Sequence, residues 1–329
     1  MQRIVISGKD VYRIQPGFGV CSWKIKQPPT SNYKLQMIAV VLCKTDIMYT
    51  INTICVCGAG TMGSGIAQVA AMAGYTTIQF DVNQEMLAKS KTAIEKNLQW
   101  LLDKGKISAA QKEQSLQQLR FTDQLTDCVA DLVIEAIIEK KEAKTELFNQ
   151  LAGINKDSTI FATNTSSIAV TEIASSIPSP QRVIGMHFFN PAPAMKLVEI
   201  ITTEQTDPAI LPAIIQLSGK MGKTPVVCKD APGFIVNRVA RHYYLEAMKL
   251  VEEGLATFET VDAIMETTGF KMGPFKLMDL IGMDINFSVS NIVWEALGKP
   301  ERLTPSPIQQ QKVNAGDLGR KTGKGFYSY

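Results

Sequence analysis

The stretch that most constrains the fold runs from Ile51 to Asp81. An apolar run, INTICVC, meets Gly58-Ala59-Gly60-Thr61-Met62-Gly63-Ser64-Gly65, IAQVAAMAGY follows with helical spacing, and TTIQFD closes the unit. Short apolar runs bounded by glycine fit buried strands, and the 3.6-residue spacing between them fits a helix. A strand, a tight turn, a helix and a second strand close as a right-handed crossover between parallel strands. Gly58, Gly60 and Gly63 then allow the tight turn, the close approach of backbone to a pyrophosphate, and close helix–strand packing. The pyrophosphate would meet the helix N-terminus at Thr61 and Met62, where free N–H groups and the helix dipole favour an anion. Asp81 ends the second strand, where an acid accepts ribose hydroxyls and repels a 2′-phosphate, so NAD is favoured over NADP.

The rest of the chain extends this pattern. Residues 83–106 and 108–119 read as two charged helices in which Lys89, Lys91, Lys96, Lys104 and Lys106 make a basic stretch, either a solvated face or a handle for a phosphate-bearing substrate. Strands are expected at 131–137 and 158–164, with a helix over 140–153 between them, so the sheet grows in parallel with its ligands beyond the strand C-termini. Glu135 and Glu139 follow one strand end, and Asn164-Thr165-Ser166-Ser167 the next. NTSS either caps a helix starting near Ile168 or faces the crevice.

A further strand, RVIGMHF, ends at His187, one of two histidines in the chain. Twelve residues later comes Glu199, in KLVEII. Asn190-Pro191-Ala192-Pro193 lies between, and each proline fixes its own φ and removes the preceding residue from the helical region. A reversal there brings His187 and Glu199 face to face. Such a pair is either structural or an acid–base dyad, in which the carboxylate fixes the imidazole tautomer and leaves the other nitrogen free. Three strand ends presenting polar groups to one crevice favour the dyad.

After a helix at 207–221 and a strand at 224–228, Lys229–Gly233 reads as a domain boundary, and everything beyond as helix: 234–254, 257–269 and 274–297. The expected architecture is an α/β Rossmann-like domain over 48–231, followed by an all-helical domain over 232–329 that closes a cleft or forms a dimer interface. Asn237 is polar within an apolar opening turn, and serves either interdomain bonding or the active site. His242 reads as structural, Arg241 as a surface residue in preference to a partner for a carboxylate, and the tail GRKTGKGFYSY, taken alone, as a frayed terminus.

Composition narrows the partners. Residues 1–47 hold seven of the 34 Lys/Arg and two of the 31 Asp/Glu, so the body is close to neutral and suits a small anionic ligand better than nucleic acid. The six cysteines form no CxxC pair and do not cluster with histidine, so neither a metal site nor a disulfide framework is expected; a reducing, cytoplasmic setting is. No apolar run approaches the ~20 residues of a membrane span. Residues 1–47 lack sustained periodicity and read as an N-terminal extension, disordered or produced by a start misassigned upstream of Met48.

GAGTMGSGIA, DLVIEAIIE, NTSS, GMHFFNPAPAMKLVEI, APGFIVNR, MGPF and GRKTGKGFY, in this order, resemble the L-3-hydroxyacyl-CoA dehydrogenase family, especially its short bacterial 3-hydroxybutyryl-CoA branch. The resemblance implies NAD as cofactor, an acyl-CoA of fatty-acid or butanoate metabolism as substrate, and a homodimer formed through the helical domain. It makes His187 the catalytic acid–base and Glu199 its partner. Ser166 and Asn237 are similar to residues that contact the reacting oxygen and hold the substrate, and Asn190 to one that orients the dyad and its ligands. Ser166, Asn190, Glu139, Lys144 and Lys321 match cofactor-contact positions, and Lys104 a position offered to the CoA phosphates. Arg241-His242 and FKMGPFKLMDLIG are similar to the phenylacetate-pathway branch, which keeps 3-hydroxyadipyl-CoA open as an alternative substrate. A free hydroxy or sugar acid is a second alternative, and a non-catalytic NAD-binding protein a third, which an intact dyad and NTSS disfavour.

Overall fold

The backbone of Ile51–Asp81 folds as its pattern requires, and the rest of the sheet is built outward from it. The structure, a computed structural model, describes residues 49–329 and two short strands, β1 (Arg3–Val5) and β2 (Val11–Arg13), which pair antiparallel. Met1–Thr45 and Asp46–Tyr329 are separate compact units. Apart from β1 and β2, the reading of residues 1–47 as an extension lies outside the described residues.

In the second unit β3 (Thr53–Cys57), α1 (Thr61–Met72) and β4 (Thr76–Phe80) form the predicted crossover, with β3 and β4 parallel. Next come α2 (Gln84–Asp103), α3 (Ala109–Gln117), β5 (Leu119–Thr122), β6 (Leu132–Glu135), α4 (Lys141–Ile154), β7 (Ile160–Thr163), α5 (Val170–Ala174), β8 (Val183–Phe188), β9 (Leu197–Thr202), α6 (Ile210–Lys220) and β10 (Thr224–Lys229). The eight strands lie in the order β10-β9-β8-β7-β6-β3-β4-β5. The strand order reverses at β3, so the glycine turn that follows it stands at the topological switch point, where open α/β sheets bind ligands.

Helices cover both faces, so the central strands are buried throughout and show no polar alternation. Successive residues of β3 still divide between two cores: Ile54 and Val56 pack with Ile66, Ile94 and Leu98, while Cys55 and Cys57 pack with Phe148, Leu151 and Phe161. Burying a phenylalanine such as Phe148 stabilises the fold by about 1.5–3 kcal/mol.

A third core belongs to the helical part, α7 (Val236–Glu252), α8 (Phe258–Thr267), α9 (Pro274–Ile281), α10 (Met283–Ala296) and α11 (Pro307–Asn314), around Met248, Phe275, Met278 and Val293. The run 274–297 is not one helix: Gly282, at φ +103°, breaks it into α9 and α10. The second charged helix stops at Gln117, and LRFT forms an edge strand on β4. Arg241 is not a surface residue but is 3% exposed. Nor is the tail frayed, because the N–H groups of Phe326 and Tyr327 donate to the buried Asp279 carboxylate, each at 2.9 Å, and the Tyr327 hydroxyl to Asp262 at 2.8 Å.

Candidate active site

The proline-marked reversal makes β8 and β9 antiparallel neighbours in a sheet that is otherwise parallel, with His187 directly opposite Glu199. His187 Nδ1 donates to Glu199 Oε2 at 2.8 Å. The other oxygen, Oε1, accepts the N–H groups of Ile235 and Val236, both at 2.9 Å. These open α7, which has no side-chain cap within its own sequence, so Glu199 supplies the anion that a helix N-terminus favours. Phe234, at φ 48°, turns the chain so that the two N–H groups reach the carboxylate. Burial alone would raise the Glu199 pKa, but the His187 hydrogen bond and the two amides outweigh it and hold the acid below its ordinary value. The rings of Phe189 and Phe234 lie 4.6 and 5.6 Å from the imidazole, and His187 Nε2 has no hydrogen-bond partner among the described residues.

NTSS does not cap α5, whose N-cap is Ala169 without a side-chain bond. Instead, Glu139 Oε1 accepts from Thr165 Oγ1 at 2.5 Å, Ser166 N at 2.9 Å, Ser167 N at 3.1 Å and Ser167 Oγ at 2.9 Å. Lys144 Nζ holds Glu139 at 3.0 Å and Glu135 at 2.6 Å. Burial opposes ionisation of Glu139, yet Lys144 and the Thr165 and Ser166 donors keep its pKa low; at Glu135 burial prevails and the pKa is raised. Two bonds tie this loop to its neighbours. Asn164 Oδ1 accepts from Phe188 N at 2.8 Å, and Asn237 Nδ2 donates to the Ser166 carbonyl at 3.4 Å. Ser166 and Asn237 are thereby brought beside the strand that carries His187.

The glycine turn has the geometry a dinucleotide requires. A Cβ on Gly63 would lie 1.9 Å from Gly58 O, and one on Gly58 2.5 Å from Ala136 O, so both positions demand glycine for packing. A Cβ on Gly60 would meet nothing within 4 Å, which leaves a cradle over the uncapped N-terminus of α1. Thr61 and Met62 open that helix. Asp81 reaches back to the turn, accepting Ala59 N at 2.7 Å. The residues fit the group.

The remaining expected contact residues either brace this network or lie outside it. Lys144 is 1% exposed and fully engaged by its two glutamates, so its amine braces the Ser166 loop. Lys321 is bound by both oxygens of Asp284 on α10, at 2.6 Å each. Asn190 is exposed at the start of the reversal, in a cis peptide with Pro191, and Lys104 is exposed just beyond α2. A groove of about 750 Å³ runs beside the glycine turn between Gly60, Lys89, Asn97, Lys106 and Pro193, so the basic groups on its wall are Lys89 and Lys106, which sequence reading did not separate from the other lysines. Lys223 was also missed: its buried Nζ donates to the carbonyls of Ala192 at 2.5 Å and Met195 at 2.8 Å, fixing the reversal. A single lysine entering a strand carries no sequence signal for that role.

Residues 53–231 match the family model described as "3-hydroxyacyl-CoA dehydrogenase, NAD binding domain", and residues 233–329 match "3-hydroxyacyl-CoA dehydrogenase, C-terminal domain". The chain is 44% identical over 285 residues to the 3-hydroxyadipyl-CoA dehydrogenase of Escherichia coli; the match covers 86% of this chain and 60% of that protein, so the chain spans well under two thirds of that relative's length. It is 44% identical over 276 residues to a probable 3-hydroxybutyryl-CoA dehydrogenase of Deinococcus radiodurans, covering 83% of this chain and 99% of the relative. Among solved structures, (S)-3-hydroxybutyryl-CoA dehydrogenase from Ralstonia eutropha is similar with a TM-score of 0.82 and 36% identity, over 85% of this chain and 99% of that one.

Proposed function

This chain belongs to the 3-hydroxyacyl-CoA dehydrogenase family, and we propose that it oxidises L-3-hydroxyacyl-CoA thioesters, such as 3-hydroxybutyryl-CoA, to 3-ketoacyl-CoA with NAD and runs the reverse reduction. The observation that carries the reading is the His187–Glu199 pair, with Nε2 unengaged among the described residues and the Ser166 loop, bonded to Asn237, tied through Asn164 to the strand that carries His187.

His187 Nε2 takes the proton of the 3-hydroxyl in oxidation and returns it to the 3-keto oxygen in reduction. Glu199 fixes the tautomer that leaves Nε2 free and stabilises the imidazolium once the proton has arrived. The Ser166 hydroxyl and the Asn237 amide orient the reacting oxygen, and Asn190, at the reversal, borders the dyad. When bound, the nicotinamide supplies hydride transfer. Gly58, Gly60, Gly63, Thr61 and Met62 hold the dinucleotide and Asp81 its ribose, while Glu139, braced by Lys144, sets the wall formed by Ser166. Positioned proton transfer contributes about 10²–10⁴-fold, or roughly 3–5 kcal/mol of barrier.

The groove beside the glycine turn suits the CoA portion, with Lys89 and Lys106 on its wall and Lys104, just beyond α2, outside it but available to its phosphates. Lys321, bound to Asp284, serves the cofactor only if that ion pair opens. Exposed apolar residues on α7, α9 and α10, including Val239 at 65% and Ile285 at 50%, support a homodimer through the helical part. Among the described residues no helix is long and apolar enough to cross a membrane. The free thiols of Cys55, Cys57, Cys128 and Cys228 support a reducing, cytoplasmic setting.

Consumption of NADH with acetoacetyl-CoA, but not with free acetoacetate, is expected. Equal activity on free acetoacetate would move the assignment to a hydroxy-acid dehydrogenase.

A further inference from the structure

Gln79 is a carboxamide inside β4, 0% exposed, and its two polar atoms have separate partners. Oε1 accepts from Ser90 Oγ at 2.7 Å, and Nε2 donates to the Gly58 carbonyl at 3.3 Å. Ser90 itself accepts from Ser64 Oγ at 2.6 Å, so its one hydroxyl proton goes to Gln79. That direction fixes which end of the amide faces the glycine turn. Strand β4, helices α1 and α2 and the turn are joined at this one side chain.

The Gly58 carbonyl belongs to the same peptide unit as the Ala59 N–H, and that N–H donates to Asp81 Oδ2 at 2.7 Å. Gln79 therefore holds one end of the unit and Asp81 the other. Gly58 stands at φ +107°, where the lack of a Cβ leaves the following peptide free to rotate unless something restrains it. A rotated unit would release the Asp81 carboxylate and re-aim the backbone that enters α1 at Thr61.

We infer that Gln79 is a positioning residue for the dinucleotide: it locks the Gly58–Ala59 peptide so that the glycine turn and the Asp81 carboxylate hold their binding arrangement before the nucleotide arrives. It touches no ligand itself, because it has no exposed surface and acts through Gly58. A turn already in that arrangement binds more tightly, since apparent affinity falls with the fraction of molecules that hold the competent conformation. The role lies in cofactor affinity and leaves proton transfer at His187 untouched.

The inference rests on the reading of the turn as a dinucleotide site, and two measurements on the full chain keep the two apart. NADH binding is followed by calorimetry, and the KM for acetoacetyl-CoA is taken at saturating NADH, in wild type and in Gln79→Leu. The NADH dissociation constant is expected to rise about tenfold or more in Gln79→Leu, while the KM for acetoacetyl-CoA moves by less than about threefold. A side chain that only supports the fold would lower the melting temperature and leave NADH affinity within about twofold of wild type. That result overturns the positioning role and leaves the dinucleotide site standing. Equal losses in NADH affinity and in the KM for acetoacetyl-CoA overturn the role as well, because they mark a general disturbance of the domain. Folded wild-type protein that binds no NADH overturns both readings. Should Gln79→Leu fail to fold, Gln79→Met, which keeps the unbranched shape and lacks the donor, decides by the same two criteria.

Discussion

The carboxylate of Glu199 is divided between two tasks: Oε2 accepts from His187 Nδ1 at 2.8 Å, while Oε1 holds the first N–H groups of α7 through Ile235 and Val236. One side chain therefore orients the proposed base and seats the helix that carries Asn237. The two tasks separate by substitution. In Glu199→Gln the amide oxygen still serves the helix, so stability should fall by less than about 1 kcal/mol. In Glu199→Ala the cap is lost and two buried donors are stranded, at about 1–3 kcal/mol. Urea unfolding of the two variants checks this; equal stability would show that Glu199 does not seat α7.

Acid should weaken the fold through the same group. The folded-state pKa values of Glu199 and Glu139 both lie below the ordinary range. A depressed acid contributes stability that is fully present above its unfolded pKa, about 4.3, and is lost as pH falls through the lower folded value. Melting temperature should therefore hold down to about pH 5 and drop below pH 4. Glu199→Gln and Glu139→Gln should each flatten that acid limb, and a limb of unchanged steepness would remove these two groups from it.

The two central glycines should fail differently. An added Cβ at Gly63 strikes Gly58 O at 1.9 Å, whereas one at Gly60 stands in open space. Gly63→Ala should lose about 1–3 kcal/mol of stability as well as NADH affinity. Gly60→Ala should keep its stability within about 0.5 kcal/mol and still bind NADH more weakly, because the methyl fills the cradle. Calorimetry of NADH binding beside thermal unfolding distinguishes them, and full NADH affinity in Gly60→Ala would contradict the placement of the pyrophosphate.

Lys144→Met strands Glu135 and releases Glu139. Removing one partner of a buried pair costs about 3–5 kcal/mol. Adding Glu135→Gln should restore part of the loss, since no buried charge then lacks a partner. Losses that simply add in the double variant would show that Lys144 and Glu135 are not coupled.

The pairing of His187 with Glu199 and the glycine turn were legible in the sequence because each rests on short-range rules. A proline-marked reversal between two apolar runs put His187 opposite Glu199, and glycine spacing after an apolar run marked the tight turn between β3 and α1. Arg241 was not legible: helical spacing shows that α7 has two faces but not which neighbour covers each, and the arginine packs on α10, 45 residues away in sequence at Asn286. The tail was misread for the same reason, since its amides are satisfied by Asp279, a residue 47 positions earlier. Leu119–Thr122 escaped notice because four residues at a sheet edge, following a glutamine-rich helix, show too little alternation to stand out.

The most direct measurement is a double-mutant cycle on NADH oxidation with acetoacetyl-CoA, comparing wild type, His187→Gln, Glu199→Gln and the double variant, with NADH affinity measured alongside. A dyad predicts that each single variant loses about 10²–10⁴ in kcat with NADH affinity nearly kept, and that the double is little worse than the worse single. Strictly additive losses, or a His187→Gln enzyme with near wild-type kcat, would contradict it.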